Sequence, residues 1–303
     1  LSNKLAVIIP VFNGEQFIQK AINSITLQTV LPSEIIVVND GSTDRTAEIL
    51  KNMNVEGLKV VDQQNTGVAL ARNNGINESE SNVIVFMDVD DFWHPQKLEI
   101  QLEELQKGSY DLIYTEVVRV SEVESDIPMN DMVTDLQTSI TTAMTIEPII
   151  YKPHLTTSSV MVKRDVFNSV GGFDSAFKTA EDQVFYMDVA NNYKIGRVNL
   201  PLTYKRYVKN SLSAGIETYS DSLRALDRFE NKYPESASRH RSTILKARAR
   251  IYRDLGSELL WYRKTGQAFK PLLMSLRRSP SIEVMVLLAK NIILSIFKIK
   301  KKN

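Results

Sequence analysis

The sequence predicts an α/β fold, a mostly parallel central sheet flanked by helices, followed by an all-helical C-terminal extension. Three observations carry that prediction. Apolar runs rich in Val and Ile alternate with helical patterns through the first half of the 303 residues. The runs are nearly continuous, as expected of strands covered on both faces rather than of half-exposed ones. From about Tyr219 onward no strand pattern is visible.

Taken in order, "KLAVIIP" reads as the first strand and "EQFIQKAINSIT" as a helix. "EIIVVND" is a second strand. "STDRTAEILKNM" opens with Ser and Thr as candidate caps before a second helix. "GLKVVDQ", "GVALARNNGI" and "NVIVFMD" continue as strand, short helix and strand. The amphipathic "HPQKLEIQLEELQ" and the strand-like "YDLIYTEVVRV" follow. Residues 121–153 are polar and irregular and read as a loop or insertion. Order resumes with "TSSVMVKRDVF", the helix "EDQVFYMDVANN" and two strands, "KIGRVNL" and "LTYKRYV". The pattern places one domain over residues 1–217 and a helical region over 218–303.

Charge divides at the same place. The formal net charge is +1, but residues 221–303 hold 19 Lys and Arg against 7 Asp and Glu. The preceding 220 residues hold 18 against 29. An acidic body with a basic tail implies two tasks on one chain, the tail facing an anionic partner. With no cysteine, disulfides, zinc–thiolate sites and thiol nucleophiles are excluded, which fits a reducing compartment. The glycine signatures of dinucleotide and P-loop sites are absent as well.

Polar residues instead gather at the carboxyl ends of consecutive strands, in "PVFNGE", "VVNDGSTD" and "FMDVDD". That edge is where open α/β sheets bind ligands. Asp88, Asp90 and Asp91 would repel one another unless a hard cation relieved them, and oxygen donors suit Mg2+ or Mn2+. A strand-end turn with helix-capping aspartates is the other reading of the same residues. Gly41 permits a tight turn before a helix, and Asp40 is placed to accept from a nucleobase N–H or to serve the turn. Arg72, among small apolar neighbours, is a surface side chain or a donor toward base or diphosphate. Glu181 and Asp182 precede an apolar helix, where they either cap it or supply a general base.

Together these segments resemble glycosyltransferase family 2, the inverting nucleotide-sugar enzymes with a GT-A fold (Rossmann-like). The match runs in order from residue 4 to about 213. It comprises "VIIPVFNGEQFIQKAINSI", "EIIVVNDGSTDRT", "NTGVALARNNGI", "VIVFMDVDDFWHPQKLE", "SSVMVKRDVFNSVGGFD" and "AEDQVFYM". The resemblance implies a metal-dependent transferase using Mn2+ or Mg2+. It would move one hexosyl or N-acetylhexosaminyl unit from a nucleoside-diphosphate sugar to a hydroxyl acceptor. It implies that Pro10, Val11 and Phe12 line the nucleoside pocket, Asp40 contacts the base and Arg72 supports base or diphosphate. Asp88 would face the ribose side and is a possible metal ligand. Asp90 would hold the metal, Asp182 would be the catalytic base, and Glu181 would orient sugar or base. Relatives often carry His where Tyr207 stands in "TYKRYVKNSLS"; Lys205 and Arg206 keep positive charge there. The motif Q-x-x-R-W of processive synthases is missing, which favours single-sugar transfer. A degenerate nucleotide-sugar binding protein is the alternative, and a GT-A-like nucleotidyltransferase a more distant one.

In "SIEVMVLLAKNIILSIFKIKKKN", Ile282, Met285, Val286, Ala289, Ile292, Ile293, Ile296 and Phe297 recur at helical spacing. Lys290 and Lys298 interrupt the apolar run, so it reads as a helix lying on a membrane surface rather than spanning it. An ordinary amphipathic helix packed on the catalytic domain, with a solvated Lys tail, is the competing reading. The expectation is a cytoplasmic enzyme, peripheral at the inner face of the membrane, with a lipid-linked or surface-polysaccharide acceptor and no nucleic-acid partner.

Overall fold

The computed structural model describes residues 4–121, 141–153, 155–207 and 215–300. The chain divides into two units, Leu1–Thr145 with His154–Ser211, and Ile146–Pro153 with Leu212–Asn303.

In the first unit the strands are β1 (Leu5–Val11), β2 (Glu34–Asp40), β3 (Leu58–Gln63), β4 (Val83–Phe86) and β5 (Asp91–Trp93). They continue as β6 (Leu112–Val120), β7 (Thr141–Met144), β8 (Val160–Lys163) and β9 (Ile195–Arg206). Among the described residues they form one sheet in the order β3-β2-β1-β4-β8-β6-β9-β5, with β7 also on β9. The β3-β2-β1-β4 part is parallel, and β8 joins β4 and β6 antiparallel. Every residue of β1 and β4 is buried, as their continuous Val and Ile runs require.

The helices of this unit are α1 (Ile18–Thr26), α2 (Thr46–Lys51), α3 (Val68–Asn77) and α4 (Lys97–Gln106). Between α4 and the later α6 (Arg164–Val170) and α7 (Glu181–Asn192) lies α5 (Ile146–Tyr151), which belongs to the second unit. Helix α3 lies close on β1 and β2: a Cβ on Gly75 would sit 2.7 Å from Ile8 and 3.0 Å from Val38. Only glycine lets the helix approach so near.

Three local expectations change. The residue at the cap position of α2 is Arg45, whose side chain makes no cap bond, and Asp44 just before it accepts from the Thr46 amide on Oδ1 at 3.0 Å. Ser42 and Thr43 instead bind Asn13 in the neighbouring loop, through Asn13 N–H to Ser42 Oγ and Thr43 N–H to Asn13 Oδ1. Second, "KIGRVNL" and "LTYKRYV" belong to one strand, β9. Pro201 falls where the β6–β9 register shifts between Val198 and Thr203, so its missing N–H interrupts no ladder bond. Third, the stretch read as irregular contains β7 and α5; its residues 122–140 lie outside the described residues.

The second unit holds α5 with α8 (Glu217–Lys232), α9 (Pro234–Arg239), α10 (Arg241–Trp261), α11 (Thr265–Arg278) and α12 (Ile282–Lys300). Arg250 of α10 ties α5 by donating from Nε to the Tyr151 carbonyl at 3.1 Å. A small core of Leu259, Leu260, Ala268, Leu272 and Val284 joins α10, α11 and α12.

Candidate active site

The carboxyl ends of the parallel strands carry the candidate residues. Gly41 turns the chain after β2 with φ 74°, and a Cβ there would meet the Asn65 amide nitrogen at 2.8 Å. That turn leaves Asp40 buried at the strand end. Its Oδ1 accepts from the Thr66 amide at 2.8 Å and Gln63 Nε2 at 2.7 Å, and its Oδ2 from the Gly67 amide at 2.9 Å. Asp40 therefore fixes the loop leading into α3, using part of the acceptor capacity of a carboxylate. Pro10 and Val11 are buried in β1 opposite Val38 and Asn39. Phe12, 49% exposed just beyond the strand, is the residue of the three that offers a face at the edge.

Arg72 is the hub. Though α3 presents it among small residues, it is buried, not a surface side chain. Its Nη1 donates to Glu181 and its Nη2 to Asp88, both at 2.7 Å. Its guanidinium lies 5.2 Å from the Phe173 ring centre. Burial disfavours its charge, but Asp88 and Glu181 outweigh that and hold it above its ordinary range. The two terminal nitrogens assigned to base or diphosphate are thus taken by two carboxylates of the protein.

The aspartates after β4 have three different fates. For Asp88, burial raises the pKa, but Arg72 and Lys205 bring it below the usual range. Asp90 is raised by burial and by Asp88, with Lys205 and Arg206 offsetting part. Asp91 is no turn cap. It opens β5 opposite Lys205, is wholly buried, and accepts from Ser158 Oγ at 2.5 Å. Burial, Asp88 and Asp90 push it well above the usual range.

Ser158, from the short 3₁₀ turn Thr157–Ser159, is a residue whose role the sequence did not disclose. Its Oγ accepts from the Asp88 amide at 2.9 Å while donating to Asp91. Its carbonyl accepts from Trp93 Nε1 at 2.8 Å. One serine thus pins the aspartate loop at three points. The signal available in sequence was only that a buried serine needs partners.

Glu181 and Asp182 open α7, where the helix N-terminus favours negative charge. They divide the work. Glu181 is buried against Arg72, whereas Asp182 keeps partial exposure and accepts from the Gln183 amide at 2.6 Å. Burial and Glu181 raise Asp182 to about 7, against the lowering effect of Arg72. Lys205 on β9 feels four carboxylates: despite burial, Asp88, Asp91, Asp90 and Asp182 hold it above its ordinary range. Arg206 lies over aromatic rings, 5.1 Å from the centre of Phe92 and 5.5 Å from that of Phe17. Tyr207 follows the strand, 74% exposed.

Among the described residues no group of three or more His, Asp or Glu side chains forms a ready metal cage. Asp90, crowded by Asp88, and Asp88, with one oxygen on Arg72, are the available hard donors. That pair fits Mg2+ or Mn2+, which binds through one or two carboxylates and takes its other ligands from phosphate and water.

The family model for glycosyl transferase family 2 matches residues 6–171. The chain belongs to that family. Among curated relatives, glycosyltransferase GlyA of Streptococcus pneumoniae is 35% identical over 114 residues, 37% of this chain and 16% of its own. Glycosyltransferase AglE of Haloferax volcanii is 31% identical over 174 residues, 56% of this chain and 55% of its own. Among solved structures, S. aureus TarS superposes with TM-score 0.67 at 22% identity, over 96% of this chain and 54% of that one. Its 1–349 fragment with UDP-GlcNAc gives 0.63 at 19%, over 94% and 90%. These superpositions establish the GT-A fold of the family. The chain spans well under two thirds of the length of GlyA and of full TarS.

Proposed function

We propose that the protein is an inverting glycosyltransferase that moves a single sugar from a nucleoside-diphosphate donor to a hydroxyl acceptor. The observation that carries this is Asp182: a partly exposed carboxylate raised to about 7 beside a paired-charge cluster. A base with that value is deprotonated enough at neutral pH to take a hydroxyl proton, yet basic enough to hold it. TarS 1–349, one structural neighbour, was solved with UDP and with UDP-GlcNAc, which supports the donor class and an N-acetylhexosaminyl or hexosyl unit.

In this reading Phe12 and Asp40 meet the nucleoside, and Asp88 stands on its ribose side. Asp182 accepts the acceptor proton as the oxygen attacks the anomeric carbon opposite the leaving diphosphate. A single displacement of this kind inverts configuration. Lys205 offsets charge growing on the diphosphate. Asp90, with Asp88, would hold Mn2+ or Mg2+, which supplies Lewis-acid neutralisation of the diphosphate oxygens. Arg72 and Glu181 act as positioning residues, since each spends its charge on a partner within the protein. The acceptor is a lipid-linked or surface-polysaccharide glycan, reached by an enzyme peripheral at the cytoplasmic face of the membrane. Residues 1–217 would be the catalytic domain and 218–303 the membrane-associating region.

Calorimetric titration of nucleoside-diphosphate sugars with and without Mn2+ tests the site. Asp90→Asn is expected to remove the metal-dependent part of donor binding. Metal-stimulated binding that survives in Asp90→Asn would sink the ligand assignment. The same titration, followed for released nucleotide, separates an enzyme from a binding protein that never turns over.

A further inference from the structure

Helix α12 has two apolar faces, and among the described residues only one is covered. Val284 and Asn291 are buried, and Leu287, Leu288 and Leu294 are partly buried toward the core of Leu259, Leu260, Ala268 and Leu272. On the other side Ile282, Met285, Val286, Ile292, Ile293 and Ile296 are each at least 50% exposed. With Ala289, also exposed, they recur at three and four residues and make one continuous stripe along the helix. Apart from Phe297, whose side chain lies outside the described residues, the stripe singled out in the sequence is exposed, while the opposite face of the same helix packs against α10 and α11.

Unpartnered faces of this kind mark a docking site, and the charge around it selects the occupant. From Trp261 to Asn303 there are ten Lys and Arg against the single acid Glu283. A second copy docking through the same face would set cation against cation, which disfavours self-association. An anionic lipid surface meets both features at once, taking the apolar stripe into its acyl boundary and the Lys-rich surround at its headgroups. Among the described residues no helix is long and apolar enough to cross a membrane.

We infer that the exposed face of α12 is a docking surface for a bilayer carrying anionic headgroups, on which the helix lies in plane. This deepens the membrane-side placement proposed above, and its readout is independent of sugar transfer. The full chain is spun with vesicles of phosphatidylcholine alone and with vesicles one third phosphatidylglycerol. Selective binding to the anionic vesicles is expected, weakening as salt rises from about 0.1 to 1 M and the screening length falls from ~10 to ~3 Å. Ile292→Asp/Ile293→Asp should cut the partition on the order of a hundredfold. Met285→Asp/Val286→Asp should do so from the other end of the stripe. Circular dichroism and melting confirm that each pair stays folded, and calorimetry confirms that donor binding is unchanged. Three results overturn the inference: no binding to anionic vesicles at low salt; folded variants that bind like the parent; or a concentration-dependent dimer, seen by sedimentation and lost in the variants, which would assign the face to a second copy. Loss of transfer activity with vesicle binding intact would count against the proposed reaction alone.

Discussion

The two units break opposite rules of burial. The sheet unit hides ionisable groups: Arg72, Glu181 and Asp91 are all buried, and Asp88 is partly buried. The helical unit shows apolar side chains, from Trp261 to Ile296, to solvent. Each departure costs stability where it stands, and each is offset differently. Buried charge is tolerated because Arg72 pairs with two carboxylates and Lys205 faces four. Among the described residues the exposed face of α12 has no such compensation. The difference is one of partners: the buried charges are met by opposite charges of the same unit, while the apolar face of α12 is covered by none of the described side chains.

The largest effect that would break the comparison is expected at Asp182. Asp182→Asn should lower transfer about 10²–10⁴-fold while leaving donor affinity intact, measured by steady-state kinetics and titration calorimetry. In the parent enzyme kcat should fall as pH drops through about 7, because only the ionised carboxylate accepts a proton. Stability runs the other way. A carboxyl raised above its unfolded value of about 3.9 binds its proton more tightly when folded, so stability declines as pH rises from about 4 to about 7. Asp182→Asn should therefore melt higher than the parent at pH 8 and no higher at pH 4. Full activity in that variant removes Asp182 as the base.

Next in size is Arg72. Arg72→Met removes one partner and leaves Asp88 and Glu181 without their cation, a change expected to cost about 3–5 kcal/mol in denaturant unfolding. Adding Glu181→Gln should recover part of that loss, because it removes one of the stranded charges. An Arg72→Met protein as stable as the parent would mean that the pairing carries little weight.

These two residues also show what the sequence discloses. Strand-end position singled out Asp40, Asp88 and Asp90, since a continuous apolar run followed by polar residues marks a sheet's ligand edge, whereas Asp182 was singled out by its place before an apolar helix. What Arg72 does there was not legible, because burial of a long cation depends on where Asp88 and Glu181 arrive, the latter 109 positions away. Lys97 is similar. In an apparently amphipathic helix it is wholly buried over Trp93 at 4.1 Å, and only packing of α4 on the sheet decides that. The serine of "TSSV" gave no sign of its task. The split of the helical unit was half visible: periodicity gave the stripe of α12 but not which side the core would take.

Ser158 tests that hidden support. Ser158→Ala leaves the Asp88 amide and the Asp91 carboxyl without their shared partner, at a cost of about 1–3 kcal/mol. The stability loss alone would fit any buried serine. The discriminating readout is metal-stimulated donor binding, which should weaken with it because the loop carrying Asp88 and Asp90 is no longer pinned. Unchanged metal response together with lower stability would make Ser158 structural only.

The smallest effect on stability is expected on the other unit, and its smallness is the point. Ile293 is 53% exposed in α12, so Ile293→Ser should change unfolding by no more than about 0.5 kcal/mol. A core isoleucine cut back to the same extent would cost several times as much. If Ile293→Ser is neutral to unfolding yet weakens association with anionic vesicles, the residue contributes to an interface and not to the fold. If it destabilises the isolated protein by more than about 1 kcal/mol, the face is covered from within, and the contrast between the two units fails at its exposed end.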